Sequence, residues 1–165
     1  MAFYERIHAQ TAGKDVSILI NNAGYADTGR VANLTAESQK TMMDTNATPV
    51  VMLTRLFLPQ MLQRQKRSAV LNTSSIGGNF ISPGISMYSA TKRLVNAFSK
   101  ALAFEVSDKV DVLAVTPAYV ATKMSNMKEN MICISAQQCA SGALDSLGQE
   151  SITYGHVRHA IQGIF

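Results

Sequence analysis

The stretch Val16-Ser17-Ile18-Leu19-Ile20-Asn21-Asn22-Ala23-Gly24 decides the fold. Val16 to Ile20 is a short apolar run rich in β-branched residues, and its length predicts a strand buried on both faces. Asn21 to Gly24 then supplies the small, turn-forming residues that end it. Two further runs repeat the pattern: Ala69–Thr73, which leads into a loop rich in Gly, Ser and Pro, and Val110–Val115, stopped by Pro117. Residues 153–157 suggest a short last strand. Between these runs the apolar residues recur at helical spacing. Met42, Met43, Val50, Leu53, Leu56, Phe57 and Met61 mark a helix over 34–65, capped by Thr35 and kinked or ended at Pro59. Leu94, Val95, Phe98, Leu102 and Phe104 mark a second over 86–106. Residues 3–12 read as a helix closed near Gly13, and 123–150 as helical with breaks. Strands alternating with helices of this length imply parallel pairing through right-handed crossovers, an α/β doubly wound sheet. Such sheets bind ligands beyond the carboxyl ends of their strands. The segments Asn21–Gly24, Ser74–Gly84 and Thr116–Met124 all leave those ends.

Composition narrows the function classes. Of 165 residues, 47% are hydrophobic, which argues against disorder. The net charge of +4 is scattered, with one short cluster at Arg64, Lys66 and Arg67 that reads as a solvated helix end rather than a nucleic-acid surface. Two cysteines, Cys133 and Cys139, are too few for a disulfide framework, and the absence of a Cys/His cluster argues against zinc. No run approaches the roughly 20 apolar residues of a membrane-spanning helix. Phe3-Tyr4-Glu5-Arg6-Ile7 resembles the middle of a helix more than a targeting signal.

Tyr88 and Lys92 stand four apart at the start of a helix, on one face. A free phenol, with a pKa of about 10, is too weak an acid for proton transfer at neutral pH, and a neighbouring ammonium would lower that value. Alone, the pair could equally be a surface tyrosine lying on a lysine stem. Ser75, 13 residues upstream at a strand end, could donate to a carbonyl oxygen while Tyr88 moves the proton. Asn46, inside the long predicted helix, is either a core amide or part of the same constellation. Met124, Met127 and Met131 either pack a helix or offer soft apolar surface to a substrate.

Taken together, Asn21-Asn22-Ala23-Gly24, Asn46, Ser75, Tyr88-Ser89-Ala90-Thr91-Lys92 and Pro117-Ala118-Tyr119-Val120-Ala121-Thr122 resemble the short-chain dehydrogenases/reductases in order and spacing, from about residue 14 to 124. Within that family, Val115–Met124 and the ending around Thr153-Tyr154-Gly155-His156 look like the very-long-chain 3-oxoacyl-CoA reductase and 17β-hydroxysteroid dehydrogenase group. The resemblance implies a ketone–alcohol oxidoreductase acting on a lipid-like substrate, an acyl-CoA or a steroid. Tyr88 would be the acid/base, Lys92 its modulator and a ribose ligand, Ser75 the group polarising the carbonyl, and Asn46 the anchor of a proton-relay water. Asn21, Ala23 and Gly24 would line the adenosine side of the cofactor; Pro117, Val120 and Thr122 would border the nicotinamide, Ala118 and Tyr119 replacing the family's glycine-containing turn. The subgroup implies NADP(H) rather than NAD(H), a homodimer, and residence at the endoplasmic reticulum, with the cytoplasm as the alternative. No Gly-x-x-x-Gly-x-Gly occurs in the chain. The expectation is therefore one partial dinucleotide-binding and catalytic domain over residues 1–165 without its first β-α-β segment. Such a chain would leave one edge of the Val16–Ile20 strand unpaired, dissolve poorly and hold cofactor weakly. A second reading is a catalytically silent chain that acts only by dimerising or binding a partner.

Overall fold

The computed structural model describes residues 2–163. Four strands, β1 (Ile18–Asn21), β2 (Ser68–Thr73), β3 (Val110–Val115) and β6 (Ile152–Thr153), form one sheet in the order β1-β2-β3-β6, every pair parallel. Two more, β4 (Tyr119–Ala121) and β5 (Cys133–Ser135), pair in parallel as a separate ribbon. The helices are α1 (Ala2–Thr11), α2 (Ala36–Asn46), α3 (Thr48–Gln63), α4 (Ser86–Glu105), α5 (Ala136–Ser146) and α6 (Val157–Gln162).

The sheet has an apolar layer on each face. Leu19, Val70 and Val112 pack with Phe57 and Met61 of α3 and Leu102 of α4. On the opposite face Leu71, Leu113 and Val115 pack with Ala143 of α5. The second layer stops short of β1: Leu19 and Asn21 are buried, whereas Ile18 and Ile20 are 50% and 55% exposed. The strand expected to be buried on both faces is thus covered on one only, because α5 lies over β2 and β3. Among the described residues β1 pairs with β2 alone, so its other edge is unpaired as expected.

The helix expected over 34–65 is two. Thr35 caps α2, its hydroxyl accepting from the Ser38 amide at 3.0 Å. The break falls at Ala47, not Pro59. Pro49 lies in the first turn of α3, where its missing N–H cannot continue the ladder from α2, while Pro59 is tolerated on the exposed face of α3. In α4, Val95 and Leu102 enter the core, but Leu94 is 38% and Phe104 84% exposed, so these two are not core residues. Residues 123–150, expected to be helical with breaks, hold an irregular loop, β5 and α5; the last strand, expected over 153–157, is only Ile152–Thr153, and Val157 begins α6. Arg64 and Arg67 do not sit free at a helix end: they bridge to Asp15 and Asp111 at 2.6 and 2.5 Å, tying the entry of β2 to those of β1 and β3.

Candidate functional site

The loops after β1, β2 and β3 meet above the carboxyl end of the sheet. Ser74, the first residue after β2, is buried; its hydroxyl donates to the Lys92 carbonyl at 2.9 Å, and its amide donates to Val115. The Ile76 amide donates to the Pro117 carbonyl at 3.0 Å, which binds the loop after β2 to the one after β3. Gly78 lets the first loop lie against α4: a Cβ there would stand 2.8 Å from the Lys92 carbonyl carbon and 2.9 Å from the Arg93 nitrogen, both backbone atoms. These contacts fix Ser75 relative to the first turns of α4, which carry Tyr88 and Lys92.

Ser75 is half-buried, and its hydroxyl accepts from the Gly77 amide at 3.1 Å. A Cβ on Gly77 would lie 3.5 Å from both the Ser75 Oγ and the Tyr88 Cε1, so the hydroxyl and the phenol ring flank one small space. Lys92 is 3% exposed; its Nζ donates to the Thr73 carbonyl at 2.9 Å and lies 5.7 Å from the centre of the Tyr88 ring. Burial pushes the lysine pKa down to about 8. Burial also raises the Tyr88 pKa above the phenol's ordinary value, with the Ser75 hydroxyl acting the other way. The expected lowering of the phenol by the ammonium is therefore corrected: both groups are desolvated, and the ammonium is turned to a backbone carbonyl.

Asn46 is fully buried, at the last position of α2 rather than inside a longer helix. Its Oδ1 accepts from the Tyr25 amide at 2.7 Å, and its Nδ2 donates to the Tyr25 carbonyl at 2.8 Å and to the Thr91 hydroxyl at 3.1 Å. Thr91 in turn donates to the Tyr88 carbonyl at 2.7 Å. One amide thus clamps the loop after β1 to the turn of α4 between Tyr88 and Lys92. Gly24 sits at that junction: a Cβ there would be 3.7 Å from both the Asn46 Oδ1 and the Lys92 Nζ, and 3.3 Å from the Met124 Cε. Backbone without a side chain leaves a cradle beside the ammonium.

The other expected residues divide. Ala23 is exposed on the loop after β1, and Pro117 is buried where β3 ends. Val120 lies in β4, half-buried, and Thr122 just beyond it, exposed. The Asn21 side chain points the other way from the loop, into the layer under the sheet: its Nδ2 donates to Asn72 Oδ1 at 2.8 Å and lies 3.4 Å from the Thr54 hydroxyl. Asn72 Nδ2 extends this chain to Ser99 at 2.9 Å. The side chain of Asn21 therefore ties strands and helices together, leaving only its backbone near the loop. Ser74, Thr91 and Gly78 escaped the sequence reading. Thr91 lies inside the quoted Tyr-to-Lys run, where its spacing from Tyr88 could have suggested a bond to the preceding turn.

Two surface cavities, 410 Å³ between α1 and α3 and 390 Å³ beside β6, lie away from these residues. The cluster lies at the sheet's carboxyl end, with Lys92 and Asn46 buried beneath it. Among the described residues there is no group of three metal-ligating side chains.

A family model described as short chain dehydrogenase matches residues 1–132. The very-long-chain 3-oxoacyl-CoA reductases of Anas platyrhynchos and Homo sapiens are 35% and 34% identical, over 97% of this chain. Each match takes in 53% of the relative, so the chain spans about half the length of the curated relatives it matches. Among solved structures, a 7β-hydroxysteroid dehydrogenase superposes with a TM-score of 0.83 at 25% identity, covering 98% of this chain and 66% of that one. A short-chain dehydrogenase of Sphingobium yanoikuyae in complex with NADPH gives 0.77 at 27% identity, covering 88% and 59%.

Proposed function

Since this chain belongs to the short-chain dehydrogenase/reductase family, we propose that it carries the catalytic part of an NADP(H)-dependent enzyme that reduces a 3-oxoacyl-CoA or a similar lipid ketone to the alcohol. The observation that carries this reading is the meeting of Ser75 and Tyr88 on one small space, with the Lys92 ammonium 5.7 Å from the ring centre and Asn46 and Gly24 beside the lysine. The missing side chain at Gly24 sets backbone beside the Lys92 cation, which suits a nicotinamide nucleotide provided Met124, whose Cε now lies over the glycine, gives way. Lys92 and the backbone from Asn21 to Gly24 would hold the nucleotide, and Pro117, Val120 and Thr122 would border its nicotinamide. When bound, that cofactor supplies the hydride.

The chain's own groups would handle the oxygen and the proton. The Ser75 hydroxyl donates to the ketone oxygen, where negative charge grows during reduction. Tyr88, kept neutral by burial, gives that oxygen its phenolic proton. Lys92, with a pKa of about 8, is charged at neutral pH and stands 5.7 Å from the ring centre, where its cation would offset part of the burial cost as the phenolate forms. Asn46 holds the Tyr25 loop against Thr91 and so positions the helix turn that carries Tyr88 and Lys92; a proton-relay water at Asn46 belongs to the same proposal. The names of the curated relatives, very-long-chain 3-oxoacyl-CoA reductases, support an acyl-CoA as substrate; residence at the endoplasmic reticulum is part of the proposal and rests on the subgroup resemblance alone. Homodimerisation belongs to the same proposal.

The test follows the hydrogen. With NADPH deuterated at C4 and a long-chain 3-oxoacyl-CoA, the reading expects deuterium on the carbinol carbon of the product, read by mass spectrometry. A chain that folds and binds a protein partner but transfers no deuterium to any lipid ketone would favour the catalytically silent reading.

A further inference from the structure

Residues 119–135 form a flap: β4, an irregular loop, and β5, closed at its base by parallel pairing of Tyr119 with Cys133, Val120 with Ile134 and Ala121 with Ser135. The loop is held from within by short contacts. The Ser125 hydroxyl donates to the Val120 carbonyl at 2.6 Å, and Asn130 Oδ1 accepts from the amides of Ile132 and Cys133 at 2.9 and 3.0 Å. Its reach is functional in place: Met124 stands over Gly24, next to Asn46 and Lys92.

A two-stranded ribbon of three pairs is not stable by itself. α5 packs against both strands, and α6 adds hydrogen bonds to the backbone of the flap. Three of its side chains each meet a backbone carbonyl of the flap. His159 Nε2 lies 3.0 Å from the Tyr119 oxygen, Arg158 Nη1 donates to Asn130 at 3.4 Å, and Gln162 Nε2 donates to Ile132 at 3.1 Å. The contacts fall on both stems of the flap, one on β4 and two just before β5. Opposite a carbonyl, Nε2 must carry the imidazole hydrogen. His159 is fully buried, and its Nδ1 makes no well-formed hydrogen bond among the described residues, although the Tyr154 carbonyl lies near the ring. A leucine would fill that space without leaving a ring nitrogen unpaired, so packing alone does not explain an imidazole here. Burial holds the ring toward its neutral form; the carbonyls of Tyr119 and Tyr154 act the other way.

We propose that α6 is a clasp that sets the flap over Lys92 and Asn46, with His159 as its central positioning residue. The functional half of this proposal rests on the reading that the flap borders the nicotinamide; the mechanical half does not.

The experiment is hydrogen–deuterium exchange on the purified protein, wild type against His159→Leu and His159→Gln. Glutamine can place an N–H where the imidazole Nε2 lies. Losing the donor to a buried carbonyl should speed exchange at 119–121 and 133–135 by about tenfold or more, with β2 and β3 unchanged. His159→Gln should bring exchange back close to wild type. Unchanged flap amides in His159→Leu, equal acceleration in β2 and β3, or no rescue by glutamine would each overturn the clasp. Should His159→Leu fail to fold, Gln162→Leu serves, its side chain being only half-buried: faster exchange at Cys133–Ser135 supports the clasp and none refutes it. In turnover, the same variants should raise KM for the nucleotide while leaving kcat at saturation within about twofold. Exchange needs no nucleotide, so a clasp seen there with KM unchanged would refute the flap's role at the cofactor and leave the mechanical claim standing.

Discussion

Lys92→Met should make this protein more stable at neutral pH while removing its chemistry. The lysine is 3% exposed and its pKa falls from 10.5 to about 8 because burial penalises the ammonium. At 1.36 kcal/mol per tenfold, that drop means the folded state bears a cost of about 3 kcal/mol at pH 7 for keeping the charge. Methionine fills a similar volume without charge and forgoes the bond from Nζ to the Thr73 carbonyl, a loss of about 1 kcal/mol. The expected gain at pH 7 is therefore about 2 kcal/mol. Its pH dependence is the sharper part. Between about 8 and 10.5 the folded chain binds fewer protons at Lys92 than the unfolded chain. Wild-type stability must then rise with pH across that window, while the cost is present in full below it. The advantage of Lys92→Met should vanish by about pH 9.5. Urea denaturation followed by far-UV circular dichroism reads this, the chain having no tryptophan for fluorescence. A variant less stable than wild type at pH 7, or a gap that does not change from pH 7 to 9.5, would refute the reasoning.

Gly78→Ala should cost about 1–3 kcal/mol and displace Ser75, because its Cβ would press on backbone atoms of α4, whereas Gly77→Ala should be nearly neutral in urea melts. Asn46→Ala leaves the Tyr25 amide and carbonyl without their partner and should cost about 1–3 kcal/mol, with turnover falling further than stability; paired melts and rate measurements check it. Leu102→Ala should cost about 2–5 kcal/mol, against under about 1 kcal/mol for the exposed Leu94→Ala in the same helix.

Legibility followed how local each signal was. The strand Val110–Val115 is bounded as expected, since an apolar run ended by proline has one local solution. The Thr35 cap was legible for the same reason. The break at Ala47 was carried by Pro49 and by the capture of Asn46 by Tyr25 and Thr91; the proline was readable, the capture a tertiary event. The start of α5 had a readable signal that went unused: Ser135 and Gln138 form a reciprocal capping box. The ribbon of β4 and β5 had none, because three-residue strands carry no period and are held from outside by α5 and α6. Exposure of Ile18 and Ile20 depends on what covers the sheet, which the run of apolar residues cannot state. At the site, Ser75, Tyr88, Lys92 and Asn46 were joined by the family resemblance rather than by spacing alone, and the structure places them near one another. The electrostatics were misjudged, because spacing says which groups meet and burial decides what their meeting does to a proton.

The most direct measurement is the rate of NADPH oxidation with a long-chain 3-oxoacyl-CoA by Tyr88→Phe, alongside wild type, with both proteins shown to bind the nucleotide equally. Loss of the phenolic hydroxyl alone should lower kcat by about 10²–10⁴-fold. A Tyr88→Phe protein that turns over at the wild-type rate would contradict the assignment of this cluster as the seat of the chemistry.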